Sequence, residues 1–168
     1  QDFHVTFGID RSKPAPWYYL DPETGIMRTG WQYLGNNWYY LRSSGAMATG
    51  WYQEGSTWYY LDQPNGDMKT GWQYLGNKWY YLRSSGAMAT GWYQEDSTWY
   101  YLDAENGDMK TGWQYLGNKW YYLRSSGAMA TGWFQVGSKW YYAYSSGALA
   151  VNTTVEGYSV NYNGEWVQ

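Results

Sequence analysis

Tryptophan pairs recur along this chain at a spacing that suits the capture of a cation. Gly-Trp falls at Trp31, Trp51, Trp72, Trp92, Trp113 and Trp133, and Trp-Tyr-Tyr begins at Trp17, Trp38, Trp58, Trp79, Trp99, Trp120 and Trp140. In every complete pair the second tryptophan follows the first by seven positions. An apolar residue then follows a Gly turn, at Met27, Met47, Met68, Met88, Met109, Met129 and Leu149. Two indoles so close together in a thin structure cannot both be fully buried, so they must line a cleft. A cleft walled by two Trp and one Tyr and floored by Met is an aromatic cage. Such a cage suits a quaternary ammonium, because each ring face contributes about 0.5–2 kcal/mol of cation–π attraction. No carboxylate is shared by all the repeats inside this pattern.

The elements that must position these rings follow from the residues between them. In residues 31–41 two aromatic runs flank Gly35-Asn36, a two-residue turn signal. The turn pairs Leu34 with Asn37, Tyr33 with Trp38, Gln32 with Tyr39 and Trp31 with Tyr40. Strands alternate faces, so Trp31, Tyr33, Trp38 and Tyr40 share one side, and Gln32, Leu34, Tyr39 and Leu41 the other. The first Tyr of each Trp-Tyr-Tyr and the following Leu read as structural packing. Ser43-Ser44-Gly45-Ala46 reads as a loop. One hairpin is marginal in water, whereas stacked hairpins cover each other's aromatic faces. The expected fold is all-β, an elongated solenoid of short hairpins without a central core and essentially without helix.

The repeating unit is a pair of hairpins: residues 70–90 reappear unchanged at 111–131, a period of 41. Residues 17–149 form the array and 150–168 a degenerate capping repeat. Residues 1–16, with Lys13-Pro14-Ala15-Pro16, read as a linker from an upstream domain. The chain begins Gln-Asp-Phe-His, which reads as a piece of a larger protein.

Composition narrows the classes of partner. The chain holds 14 Trp and 22 Tyr against 3 Phe, with a mean hydropathy of -0.74. That is the signature of a wet recognition surface rather than of a large apolar core. The net charge of -3 supplies no basic stripe for nucleic acid. No apolar run is long enough for a transmembrane helix, so no membrane insertion is expected. The absence of Cys rules out disulfides, thiolate metal sites and a Cys nucleophile.

The pattern Thr-Gly-Trp, Trp-Tyr-Tyr-Leu, Ser-Ser-Gly-Ala-Met-Ala resembles the choline-binding repeats of pneumococcal surface proteins, autolysins and their phage counterparts. The resemblance covers about residues 17–168. It implies a left-handed superhelix of hairpins that binds phosphocholine on teichoic and lipoteichoic acids. It also implies a secreted parent held at the bacterial cell wall, with no cofactor and no catalysis in these residues. In the family, two Trp of one repeat and a Tyr of the next make the cage, with Met or Leu nearby. Carried over by motif position, Trp31 and Trp38 take Tyr60 and Met47, and Trp51 and Trp58 take Tyr81 and Met68. Trp72 and Trp79 take Tyr101 and Met88, Trp92 and Trp99 take Tyr122 and Met109, and Trp113 and Trp120 take Tyr142 and Met129. The second Tyr of each motif is chosen because it shares a side with both Trp of its own hairpin. At the ends, Trp17 with Tyr40 and Met27 lacks a Gly-Trp. Trp133 and Trp140 lack a following Trp-Tyr-Tyr, with Val160 near the place of the Tyr. The Gly157–Val167 segment resembles the closing segment of surface members, which places an effector domain upstream.

Other signals are weaker. His4, the single histidine, has no partner set for a triad. Asp62 with Asn65-Gly66-Asp67, and Asp103 with Asn106-Gly107-Asp108, lack the spacing of a calcium loop and read as Asn-Gly turns. Glu54, and Glu95 with Asp96, read as solvated residues at hairpin tips. Arg42, Arg83 and Arg124 read as exposed, with phosphate contact the other option. The competing function is a carbohydrate-binding array of the glucan-binding type, since sugars also stack on aromatics. Sugars need flanking polar groups to read their hydroxyls, however, and the recurrent pocket residues are Trp, Trp, Tyr and Met.

Overall fold

Two aromatic runs separated by two residues, the first of which takes a positive φ, close into a hairpin, and this step is repeated along the chain. The computed structural model describes residues 16–168 and the backbone of Val5–Thr6; His4 and Lys13-Pro14-Ala15 lie outside the described residues. Strand β1 (Val5–Thr6) pairs antiparallel with β2 (Trp17–Tyr18). The hairpins follow: β3 (Gly30–Leu34) with β4 (Asn37–Leu41), then β5 (Gly50–Glu54) with β6 (Thr57–Leu61). Next come β7 (Gly71–Leu75) and β8 (Lys78–Leu82), and after them β9 (Gly91–Glu95) with β10 (Thr98–Leu102). The pairs β11 (Gly112–Leu116) with β12 (Lys119–Leu123) and β13 (Gly132–Val136) with β14 (Lys139–Ala143) complete the series. A three-stranded sheet of β15 (Thr153–Val155), β16 (Tyr158–Val160) and β17 (Trp166–Val167) closes it. No helix occurs among the described residues, so the all-β class of repeated hairpins is the one the sequence foretells.

The register is also the expected one. Trp31 faces Tyr40, Gln32 faces Tyr39, Tyr33 faces Trp38 and Leu34 faces Asn37. Gly35 and Asn36 have φ of 58° and 67°, the pair of positive values that a primed turn demands and that matches the twist of the strands.

The chain divides into two compact units, residues 1–73 with 81–88 and residues 74–80 with 89–168. In each unit successive hairpins are laced together by main-chain bonds. In the first, Met68 N–H donates to Trp38 C=O and Met88 N–H to Trp58 C=O, both at 2.8 Å. In the second, Met109 donates to Trp79 and Met129 to Trp99 at 2.8 Å, and Leu149 to Trp120 at 2.9 Å. The Leu that ends each hairpin is what the stack buries. Leu41, Leu61 and Leu82 in the first unit, and Leu102 and Leu123 in the second, are 0–3% exposed. Full burial of such a side chain is worth about 1.5–3 kcal/mol. Each unit therefore has a thin apolar spine where the sequence reading expected no core. The spine is made of a residue type that the reading did assign to packing.

Candidate functional site

Within hairpin β3–β4 the side-chain alternation puts Trp31 and Trp38 on one side, diagonal to each other. Their rings lie 6.5 Å apart at 81°. The same perpendicular pair recurs at Trp51–Trp58, Trp92–Trp99 and Trp113–Trp120, at 6.4 Å and 86–87°. Two walls at right angles present two ring faces to one point, the arrangement a cation needs. The second tryptophan is the open wall: Trp38, Trp99 and Trp120 remain 38–45% exposed.

The third wall and the floor come from the next repeat. Tyr59 lies 4.9 Å from Trp31, Tyr121 lies 5.0 Å from Trp92, and Tyr141 lies 4.9 Å from Trp113. A cavity of about 280 Å³ is lined by Trp31, Trp38, Tyr59, Met68 and Ser85. Another of about 290 Å³ is lined by Trp92, Trp99, Tyr121, Met129, Ser145 and Ser146. At Trp113, Trp120 and Tyr141 the floor is Leu149, and Val151, Tyr162, Asn163 and Glu165 complete a lining of about 340 Å³.

The indoles are held in place. Trp31 Nε1–H donates to Glu54 Oε2 at 3.0 Å, so Glu54 is tied to the site rather than merely solvated at a hairpin tip. Tyr52 stacks on Tyr40 at 4.0 Å, and burial, with help from Tyr40, pushes the Tyr52 phenol well above its usual pKa.

The structure brings together the tryptophans that the sequence reading paired at Trp31 and Trp38, Trp51 and Trp58, Trp92 and Trp99, and Trp113 and Trp120, but sets other residues beside them than the reading expected. Tyr60 is not brought to Trp31 and Trp38; it packs 5.2 Å from Trp51 of its own hairpin. Tyr81, Tyr101, Tyr122 and Tyr142 likewise brace Trp72, Trp92, Trp113 and Trp133 at 5.0–5.2 Å. Sharing a side with its own tryptophans is what excludes the second Tyr. When hairpins stack in series, the tryptophan side of one meets the opposite side of the next, and that side carries Tyr59 rather than Tyr60. The first Tyr, read as packing, is therefore the third wall.

The floor shifts for a related reason. Met47 does not floor the Trp31 cage, because its N–H is bonded to Trp17 C=O at 2.7 Å. Met68, expected with Trp51, lines the Trp31 cage; Met129, expected with Trp113, lines that of Trp92. Met88 and Met109 are bonded to Trp58 and Trp79, one repeat earlier than expected. Trp72 belongs to the first unit and Trp79 to the second. The Ser-Ser-Gly loop, read only as a connection, also contributes, through Ser85 and through Ser145 and Ser146. Gly86 in that loop has φ of 87°, and a Cβ there would overlap the Met68 thioether, so glycine is what lets the loop close over the floor.

The remaining candidates are structural. Asp103 Oδ1 accepts the Glu105 and Asn106 N–H groups at 3.0 and 2.8 Å, and Lys110 lies 3.4 Å from Asp103 and 3.3 Å from Asp108. That is a turn closed by a lysine. Among the described residues no group of three or more side chains could hold a metal ion. Arg42, Arg83 and Arg124 are exposed, and the Arg42 guanidinium lies 6.0 Å from the Tyr52 ring centre.

A family model described as a choline-binding repeat matches residues 28–71, 69–111 and 110–153. The chain belongs to the choline-binding repeat family. Among solved structures it is similar to CbpJ from Streptococcus pneumoniae TIGR4, at 59% identity and a TM-score of 0.75, over 95% of this chain and 65% of that one. It is similar to choline binding protein F from Streptococcus pneumoniae in the presence of a peptidoglycan analogue, at 55% identity and a TM-score of 0.63, over 92% of this chain and 62% of that one. The choline-binding domain of CbpL from Streptococcus pneumoniae matches at 36% identity with a TM-score of 0.67, over 90% and 82% of the two chains. The chain thus spans less than two thirds of the CbpJ and choline binding protein F chains it matches. No curated protein matches.

The tail beyond residue 153 lies outside the matched repeats, yet it rebuilds their geometry. Asn161 N–H donates to Glu165 C=O and Gly164 N–H to Asn161 C=O, as Arg42 does to Ala46 and Gly45 to Arg42. Counted from this loop, Val160 holds the place of the buried Leu, Tyr158 that of the first Tyr, and Trp166 that of Met. Val160 is 3% exposed, as that place requires, so it does not stand in for the missing Tyr. A cavity of about 350 Å³ is lined by Trp133, Trp140, Tyr158 and Trp166. Tyr158 lies 5.8 Å from Trp133 and 6.1 Å from Trp166, and Trp133 Nε1–H donates to Glu156 Oε2 at 3.1 Å.

Proposed function

We propose that this chain is a non-catalytic module that binds the choline of teichoic and lipoteichoic acids in its aromatic cages and so holds a secreted parent protein on the bacterial cell wall. The observation that carries this reading is the cage of two perpendicular indoles, a phenol and a thioether at Trp31, Trp38, Tyr59 and Met68. The rings attract the positive charge through their faces, and the methyl groups of a trimethylammonium fill the apolar space between them. No proton need move and no bond need break. Residues 17–149 serve as the array and 150–168 as its cap.

The cage is small and shallow, so each site should hold free choline only at the order of 1 mM, about 4 kcal/mol. The module should be retained on a tertiary-amine column and released by free choline, with a matching change in Trp fluorescence. Glucose polymers should do neither. A response to glucan without one to choline would replace this reading with a carbohydrate-binding array.

A further inference from the structure

The cage at the end of the array differs from the Trp31 cage in its floor and in its rim. Where Met68 floors the Trp31 cage, Trp166 stands in the last one, so three indoles and a phenol face a single cavity. Its lining carries no Ser loop, whereas Ser85 rims the Trp31 cage and Ser145 and Ser146 rim the Trp92 cage. Nor does it carry the Asn163 and Glu165 that line the cage of Trp113 and Trp120. At about 350 Å³ it is larger than the Trp31 cavity of about 280 Å³. Strand β17 fixes Trp166 through its pairing with Val160, and Glu156 fixes Trp133. The rings are thus built into the backbone and not a chance cluster on the surface.

We infer that the cage of Trp133, Trp140, Tyr158 and Trp166 is a second class of cation site, selective for quaternary ammonium ligands that carry an aryl substituent. The inference rests on the cages being choline sites. A third indole adds one ring face to the attraction for the charge and a flat surface on which an aryl group stacks. A thioether floor and a polar rim offer an aryl group neither.

The test uses the whole chain, labelled with ¹⁵N at its indoles and titrated separately with choline and with benzyltrimethylammonium. Trp38→Phe and Trp140→Phe variants identify the two Nε1–H signals to be followed. The Trp140 signal should saturate at a lower benzyltrimethylammonium concentration than the Trp38 signal, and the ratio of benzyltrimethylammonium to choline midpoints should be about 2- to 13-fold lower at Trp140, the worth of one aromatic stacking contact. With choline the two should differ less. Trp166→Met gives the last cage the floor of the Trp31 and Trp92 cages and should abolish its preference for the aryl ligand. An unchanged Trp38 response in that variant shows that the fold is kept.

A Trp140 signal that saturates no earlier than Trp38, or a preference that survives Trp166→Met, overturns the inference. Movement of Trp38 with choline while Trp140 stays still overturns it alone and leaves the proposed function standing. If neither signal moves with either ligand, the proposed function falls and this inference with it.

Discussion

The Trp31 cage and the last cage are made by the same backbone and finished with different chemistry. In both, a Gly-Trp and a Trp-Tyr-Tyr or Trp-Tyr-Tyr-Ala strand supply two indoles, and the following hairpin supplies a phenol. In both, a tip glutamate accepts the indole N–H of the first tryptophan, Glu54 for Trp31 and Glu156 for Trp133. The floor changes from Met68 to Trp166, and the lining loses the Ser85 rim. Strand alternation and the order of stacking therefore fix where a cage stands. The second residue after the loop glycine, Met68 after Gly66 and Trp166 after Gly164, is where the floors of the two cages differ.

This comparison can be broken most severely by removing inner cages while leaving the last one. Deleting residues 70–110, one 41-residue unit, keeps the repeat register and should remove two inner cages. Each bound choline on a polymer raises the effective concentration of the next, so sites in series gain factors of about 10²–10⁴ in avidity. Retention on choline-bearing walls should therefore fall by far more than the share of sites lost, whereas free-choline affinity per remaining site should not change. Retention that survives the deletion would mean that the last cage alone anchors the module.

A smaller effect separates wall from brace. Tyr59→Ala should weaken choline at the Trp31 cage by about 0.5–2 kcal/mol, the worth of one ring face. Tyr60→Ala should leave that cage intact and loosen Trp51, which it braces at 5.2 Å. Indole-resolved titration of the two variants distinguishes these outcomes.

The loop glycine offers a stability test of similar size. Gly86→Ala forces a side chain into positive φ, at about 1–2 kcal/mol, and pushes on Met68 besides. Thermal melting should show the loss, and the Trp31 cage should lose affinity while the last cage, with no methionine floor, should not.

The smallest expected effect is electrostatic and confined to the tail. Lys139, 2.9 Å away, and after it Asn161, hold the Glu165 carboxyl below its ordinary value of 4.5. A depressed carboxyl stabilises fully above that ordinary value and loses its contribution as the pH falls through the lowered one. Acidification through the lowered value should therefore loosen the loop before Trp166, seen as faster exchange of the Asn161 and Gly164 amides.

Much of this was legible in the sequence. Gly35-Asn36 announced the hairpin and its register, and the Trp spacing of seven announced two rings on one side. What stayed hidden was the relation between hairpins. A period-two pattern says which residues share a face, but not which face meets the neighbour, and so Tyr60 was expected where Tyr59 stands. Met47 was misplaced because the bond that decides it, from its N–H to Trp17 C=O, joins residues thirty apart. The last cage was hidden by length. Its hairpin has three-residue strands instead of five, so Tyr158 and Trp166 no longer fall at the repeat's spacing from Trp140.

Met68, bonded to Trp38 on one side and covered by Gly86 on the other, belongs to a column that runs through three consecutive repeats. A site of this kind is not the property of any single repeat, and a lone copy carries none. Site number therefore lags behind copy number at first and then rises with it one for one. A gene that gains or loses whole copies in phase changes the number of cages without making a new pocket, because every junction it creates is one that the chain already contains.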